Sequence, residues 1–261
     1  MLKKFFVGLL IAMVGVCFGA KFNNAEANKL LNAKDYVKLQ QYLQTNNEYD
    51  ATYKAIYNRY AFIVRIMVKK DVNKSNILSL VKQEIKEGRL DYAQSMNILF
   101  MSRVYIPELR QNYEFARLTK QFYEENKTQK YGASSYNAIC SAYIHLKEFD
   151  NLLNLLNSLQ ENKIANATCA MVNRSLKEFT TEQKIAYFGM VGKNSTKFVR
   201  TAKDLTSVVE QSSKITDTKY DAVMKELYTK LNRSFYSKIT VSEEWKQALV
   251  MVNLQIKAYG M

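Results

Sequence analysis

Glycine and proline are scarce. The whole sequence holds eight Gly and one Pro, and three of those glycines (Gly8, Gly15, Gly19) fall at positions 1–19. A sheet protein built from hairpins needs residues of positive φ at its reversals, so an all-β fold is excluded. Cysteine is scarce too. Cys17 belongs to the N-terminal stretch 1–19, and Cys140 and Cys169 alone make neither a disulfide framework nor a four-thiolate zinc site. The single histidine, His145, has no second histidine to share a metal or a proton, and it reads as an ordinary residue at a helix C-terminus. No cofactor or metal is expected. What is abundant is apolar: 48% of residues are hydrophobic and 12% aromatic, which excludes wholesale disorder.

The N-terminal stretch 1–19, MLKKFFVGLLIAMVGVCFG, places Lys3 and Lys4 before an unbroken apolar run from Phe5 to Val16, followed by small residues. This is the layout of a secretory signal peptide. A spanning helix needs about 20 apolar residues, and Lys21 interrupts before that length is reached. The expected domains are therefore a signal peptide at 1–19 and one helical domain at 20–261. The expected location is exported, periplasmic or secreted, with membrane contact only through an uncleaved leader.

Positive charge is in excess. There are 38 Lys+Arg against 24 Asp+Glu, a formal net charge of +14. The excess sits in two blocks: 15 basic and 8 acidic side chains at 51–130, and 11 and 6 at 181–240. Such blocks suit an anionic partner, or else they are Lys-rich solvated helix faces.

The apolar pattern is helical nearly everywhere. Tyr53, Ile56, Tyr57, Tyr60, Val64 and Met67 recur at spacings of three and four and predict a helix near 49–69. The same pattern predicts helices near 195–212 and 216–237. Ser242 with Glu243 and Glu244 marks the start of a last helix, Thr180 with Gln183 reads as a capping box, and Gly192 suits a C′ position. Pro107 suits a first helical position. About ten helices are expected, with no persuasive strand.

One short pattern recurs: an acid, an aromatic, then apolar or small residues three and seven positions after the aromatic. It occurs at Asp35-Tyr36, Asp91-Tyr92, Glu114-Phe115 and Glu148-Phe149, and the step between the last two is of the size of one helix pair. The clearest unit is 133–163. There Tyr136, Ile139, Cys140 and Tyr143 mark a first helix, Lys147-Glu148-Phe149 a turn, and Leu152, Leu156 and Leu159 a second helix. On these residues the unit resembles a tetratricopeptide repeat, although leucines stand where that family prefers alanine and no proline closes the second helix. NAKDYVKLQQYLQ at 32–44 looks like a second such turn and helix. The resemblance implies a right-handed α-solenoid of antiparallel helix pairs whose concave face binds a protein or peptide. An irregular helical bundle is the alternative. Pentatricopeptide proteins, which bind RNA, look similar in their first helix, but an export leader argues against nucleic acid.

In stacked pairs, successive first helices are neighbours. A disulfide between Cys140 and Cys169 is therefore one expectation, and two small buried side chains the other. Gly189-Met190-Val191-Gly192-Lys193-Asn194 lacks the first glycine and the Ser/Thr of a phosphate loop and reads as a helix end. Tyr53, Tyr57 and Tyr60 with Arg59 and Arg65 form a candidate partner-binding stripe, set against packing as the ordinary use of tyrosines at helical spacing. The sequence thus predicts an all-α, exported, non-catalytic scaffold for a protein or peptide partner in the cell envelope. A basic module for an anionic envelope polymer is the alternative, and a helical enzyme using carboxylates alone the third reading.

Overall fold

The computed structural model describes residues 21–68, 77–105 and 113–261. The leader at 1–19 and Pro107 lie outside the described residues. The chain divides into two compact units between Gln94 and Ser95, where the sequence reading expects one continuous array. The α-helices of the first unit are α1 (Asn24–Asn32), α2 (Tyr36–Thr45), α3 (Ala51–Val68) and α4 (Ile77–Lys86), and α5 (Tyr92–Tyr105) begins at its end. The second unit continues with α6 (Glu114–Glu125), α7 (Ala133–His145), α8 (Phe149–Ser158), α9 (Asn166–Ser175) and α10 (Thr181–Lys193). It closes with the short α11 (Ser195–Phe198), then α12 (Ala202–Ser212), α13 (Asp221–Phe235) and α14 (Glu243–Ala258). The fold is all-α. Among the described residues the only ladder-like contact is an isolated bridge between Lys21 and Glu48.

At Asp35, Asp91 and Glu148 the acid–aromatic pattern is a turn device, whereas Glu114 is already the first residue of α6 and Tyr113 (φ 54°) is its N-cap. Lys34 and Lys147 adopt left-handed backbone (φ 56° and 58°) just past the ends of α1 and α7. Asp35 and Glu148 then occupy the N-cap of the next helix, and Tyr36 and Phe149 are its first residues. Asp35 accepts a hydrogen bond from the Lys38 amide at 3.1 Å, satisfying one of the orphan donors of α2. At Asp91 the bonds are reciprocal: its carboxylate accepts from the Gln94 amide at 2.7 Å, and its own amide donates to Gln94 Oε1 at 3.1 Å. The apolar positions of the pattern face inward. Leu39, Leu43, Leu118, Phe122, Leu152 and Leu156 are all buried, and each such side chain stabilises the fold by roughly 1.5–3 kcal/mol.

In the first unit α1, α2 and α3 pack on one another. Their core is aromatic. Phe22 lies against Tyr42, Tyr53, Tyr57 and Tyr60, with centroid separations of 5.5–6.4 Å. Phe22 is anchored by its amide, which donates to the Glu48 carbonyl at 2.8 Å.

In the second unit the helices fall into two rows. α7, α9, α12 and α14 touch in sequence along one row, and α8, α10 and α13 along the other. A three-residue turn joins α7 to α8, which pack together, as α13 and α14 do at the other end of the rows. α8 carries a wide apolar arc because neighbours press on more than one side of it: Leu152, Leu153, Leu155 and Leu156 are all buried.

Two boundaries differ from expectation. The helix expected over 195–212 is broken: α11 ends at Phe198, Val199 is extended (φ −118°), and Thr201 caps α12 through a reciprocal pair of bonds with Asp204. The break is held from outside, because the Phe198 carbonyl accepts a hydrogen bond from Asn173 Nδ2 at 3.1 Å. Gly192 is not a C′ residue. α10 runs on to Lys193, with Asn194 at its C-cap. A Cβ built at Gly192 would lie 3.5 Å from the Leu227 Cα and amide nitrogen, so this glycine marks the close approach of α10 to α13. The capping box at Thr180 and Gln183 and the Ser242 cap of α14 are present as predicted. No helix among the described residues is long and apolar enough to cross a membrane.

Candidate functional site

The five residues of the predicted aromatic–basic stripe all lie on α3, but they do different work. Tyr60 is 1% exposed, and its hydroxyl donates to Asn24 Oδ1 at 3.0 Å. The Tyr57 hydroxyl donates to the Leu43 carbonyl at 2.7 Å, and its ring stacks on Tyr49 at 4.4 Å. Burial pushes the Tyr57 phenol above its usual range, so it stays a donor. Arg65 pairs with the buried Glu84 of α4, which also takes Arg89 Nε at 2.6 Å and Arg89 Nη2 at 2.8 Å. Tyr53, 38% exposed, and Arg59, whose guanidinium lies 5.3 Å from the Tyr60 ring centroid, present open surface. A shallow groove of about 290 Å³ runs between α2 and α3, lined by Leu43, Tyr57, Ala61, Val64 and Arg65 among others. Tyr57 and Arg65 of the stripe therefore edge one groove, while Tyr60 belongs to the core beneath it.

Cys140 and Cys169 sit on α7 and α9, neighbours in one row, as the pairing expectation required. Both are buried, and both are free thiols. Burial pushes each thiol up. At Cys140 the nearby Cys169 adds to the rise, and at Cys169 the Arg200 guanidinium opposes it. The Cys169 thiol donates to the Lys197 carbonyl at 3.5 Å. His145, at the end of α7, meets the Phe115 ring edge to face at 5.0 Å.

The buried carboxylates among the described residues are Glu84 and Asp204. Glu84 is held by two arginines. Asp204 Oδ2 accepts from the Arg200 amide at 3.1 Å and from the Thr201 amide and hydroxyl at 2.9 Å each. Each is committed to holding a turn or a helix start. No group of three or more metal-ligating side chains is gathered among the described residues.

Sequence reasoning did not single out a larger feature of the second unit. A groove of about 520 Å³ opens between the end of α10 and one side of α13, lined by Gly192, Lys193, Lys225, Glu226, Thr229, Lys230 and Arg233. Its four cations are exposed, and among the described residues none is in an ion pair. On α13 the charges look like an ordinary solvated helix face. Only the close contact at Gly192 brings Lys193 of α10 to the opposite wall. Compared with family models, with characterised proteins and with solved structures, the chain matches none of them.

Proposed function

We propose that this protein is an exported, non-catalytic helical-repeat scaffold that binds a protein or peptide partner in the cell envelope. The observation that carries the reading is the two rows of helices in the second unit, in which each helix packs on the next of its row. A helix pair in such a stack buries its apolar faces only against its neighbours, and successive helices leave long surfaces and grooves that suit an extended partner. Export rests on the leader-like layout of residues 1–19.

The test is chemical crosslinking in the producing cell, with capture of the tagged protein from the exported fraction at low and high salt. A discrete crosslinked protein that persists at high salt supports the scaffold reading. Recovery from the cytosol alone refutes the compartment. The second reading, a module for an anionic envelope polymer, draws on the cationic groove at α10 and α13 and predicts capture that collapses as salt rises.

A further inference from the structure

We propose that the groove between α10 and α13 docks an extended acidic segment of the protein partner. This rests on the scaffold reading and names the chemistry its partner must bring. Four cations line one concave strip without a carboxylate on any of them among the described residues. Lys225, Thr229 and Arg233 stand at successive four-residue steps on α13, which places them about 6 Å apart along the axis. Alternate side chains of an extended chain recur at roughly 6.6–6.8 Å on one side. Carboxylates at every fourth residue of such a chain therefore come into register with Lys225 and Arg233 at the two ends, passing over Thr229, whose hydroxyl donates to Met261 Sδ at 3.7 Å. Lys193 and Lys230 are further cations of the same lining, Lys193 from the α10 wall.

Glu226 decides between acidic ligands. It is exposed and lies in the lining among the cations. The backbone of a phosphodiester or polyphosphate chain offers it only acceptors and is repelled by it. A peptide backbone offers N–H donors, which a carboxylate accepts. A second copy of this chain is a poor source for the acidic segment, because the chain carries a net charge of +14.

The test uses the whole protein and a labelled ten-residue peptide of alternating Glu and Thr, read by fluorescence anisotropy. An alternating Gln/Thr peptide and a ten-residue thymidine oligonucleotide are the comparison probes. The expected result is binding of the Glu/Thr peptide, little of the Gln/Thr peptide, and weaker affinity for the oligonucleotide. The double reversal Lys225→Glu/Arg233→Glu should weaken the Glu/Thr peptide at least about tenfold. Lys177→Glu/Lys203→Glu, which makes the same change of net charge outside the groove, should leave affinity within about twofold. Glu226→Gln should strengthen the oligonucleotide more than the peptide. Helical circular dichroism confirms that each variant is folded. Equal weakening by the two double reversals overturns the proposal, as does preference for the oligonucleotide or failure of the Glu/Thr peptide to bind. The cellular crosslink separates this proposal from the scaffold reading. If the groove reversal leaves the same crosslinked partner in place, the groove assignment falls and the scaffold reading stands. If the Glu/Thr peptide behaves as expected but the wild-type protein crosslinks to no protein, the scaffold reading falls and the groove chemistry stands.

Discussion

Tyr187 on α10 is fully buried, and its hydroxyl donates to Asn173 Oδ1 on α9 at 2.8 Å. The Asn173 amide in turn donates to the Phe198 carbonyl at the end of α11. One short polar chain therefore ties three elements inside an apolar region. The Tyr187 ring also packs edge to face on Phe198 at 5.6 Å. Tyr187→Phe keeps the ring and deletes only the donor. The loss is one hydrogen bond of about 1 kcal/mol net, plus about 1 kcal/mol or more for an Asn173 oxygen left buried without a partner. The expected destabilisation is about 2 kcal/mol. Asn173→Ala strands both the hydroxyl and the Phe198 carbonyl and leaves a small void, so about 3–4 kcal/mol is expected. In Tyr187→Phe/Asn173→Ala the hydroxyl and its partner disappear together, and the loss should fall short of the two single losses combined by about 1 kcal/mol or more. Urea unfolding followed by fluorescence is well suited, because the only tryptophan, Trp245, lies on α14 and stacks on Phe235 at 5.3 Å within the same unit. A Tyr187→Phe midpoint within about 0.5 kcal/mol of the parent, at unchanged slope, would refute this reading of the buried chain.

Three further outcomes follow from the geometry. Lys147 holds a left-handed backbone that costs an L residue about 1–2 kcal/mol. Lys147→Gly should stabilise the second unit by about 0.5–1 kcal/mol after its own entropy loss, and a lower urea midpoint would contradict the assignment. In a Cys17→Ser background, Cys140 and Cys169 should resist a thiol-reactive disulfide reagent at pH 8 until the protein is denatured, since both are buried with raised pKa. Rapid native reaction would place them elsewhere. Glu148 is pushed up by burial, but its hydrogen bonds from Lys120 and Asn151 outweigh this and hold the carboxyl below its usual 4.5, while Lys120 is raised above 10.5. The Glu148 contribution is thus present above the unfolded carboxylate value and lost as pH falls through the depressed one. The Lys120 contribution is present below its unfolded value and lost as pH rises through the raised one. Against Glu148→Gln, the parent should show a stability advantage at pH 6–8 that shrinks toward pH 3. An advantage that grows on acidification would reverse the sign of the argument.

Most of the helices could be read from spacing because burial on one side of a helix leaves a mark at three and four residues. The caps were legible at Thr180 and Ser242 because a cap is local chemistry. The acid–aromatic motif was legible as a recurring start of helices, but the row of helices beyond residue 163 was not. α7, α9, α12 and α14 begin at 133, 166, 202 and 243, so each interval is longer than the one before it. No fixed sequence offset therefore links the helices of that row. The tyrosine stripe of α3 was visible, but its partner was not: Phe22 lies before α1, two helices upstream, and only the folded chain brings the rings together. Gly192 looked like a stop because glycine ends helices, whereas here a missing side chain admits the backbone of α13. The cationic groove depends on that same approach, so no linear pattern announces it.

The neighbour-to-neighbour packing of α7, α9, α12 and α14 also decides how this molecule tolerates change. In a ladder of coupled rungs, a fault in one rung weakens two joints and leaves distant ones intact. A destabilising change on α9 should therefore speed amide exchange on its row neighbours α7 and α12 more than on α14.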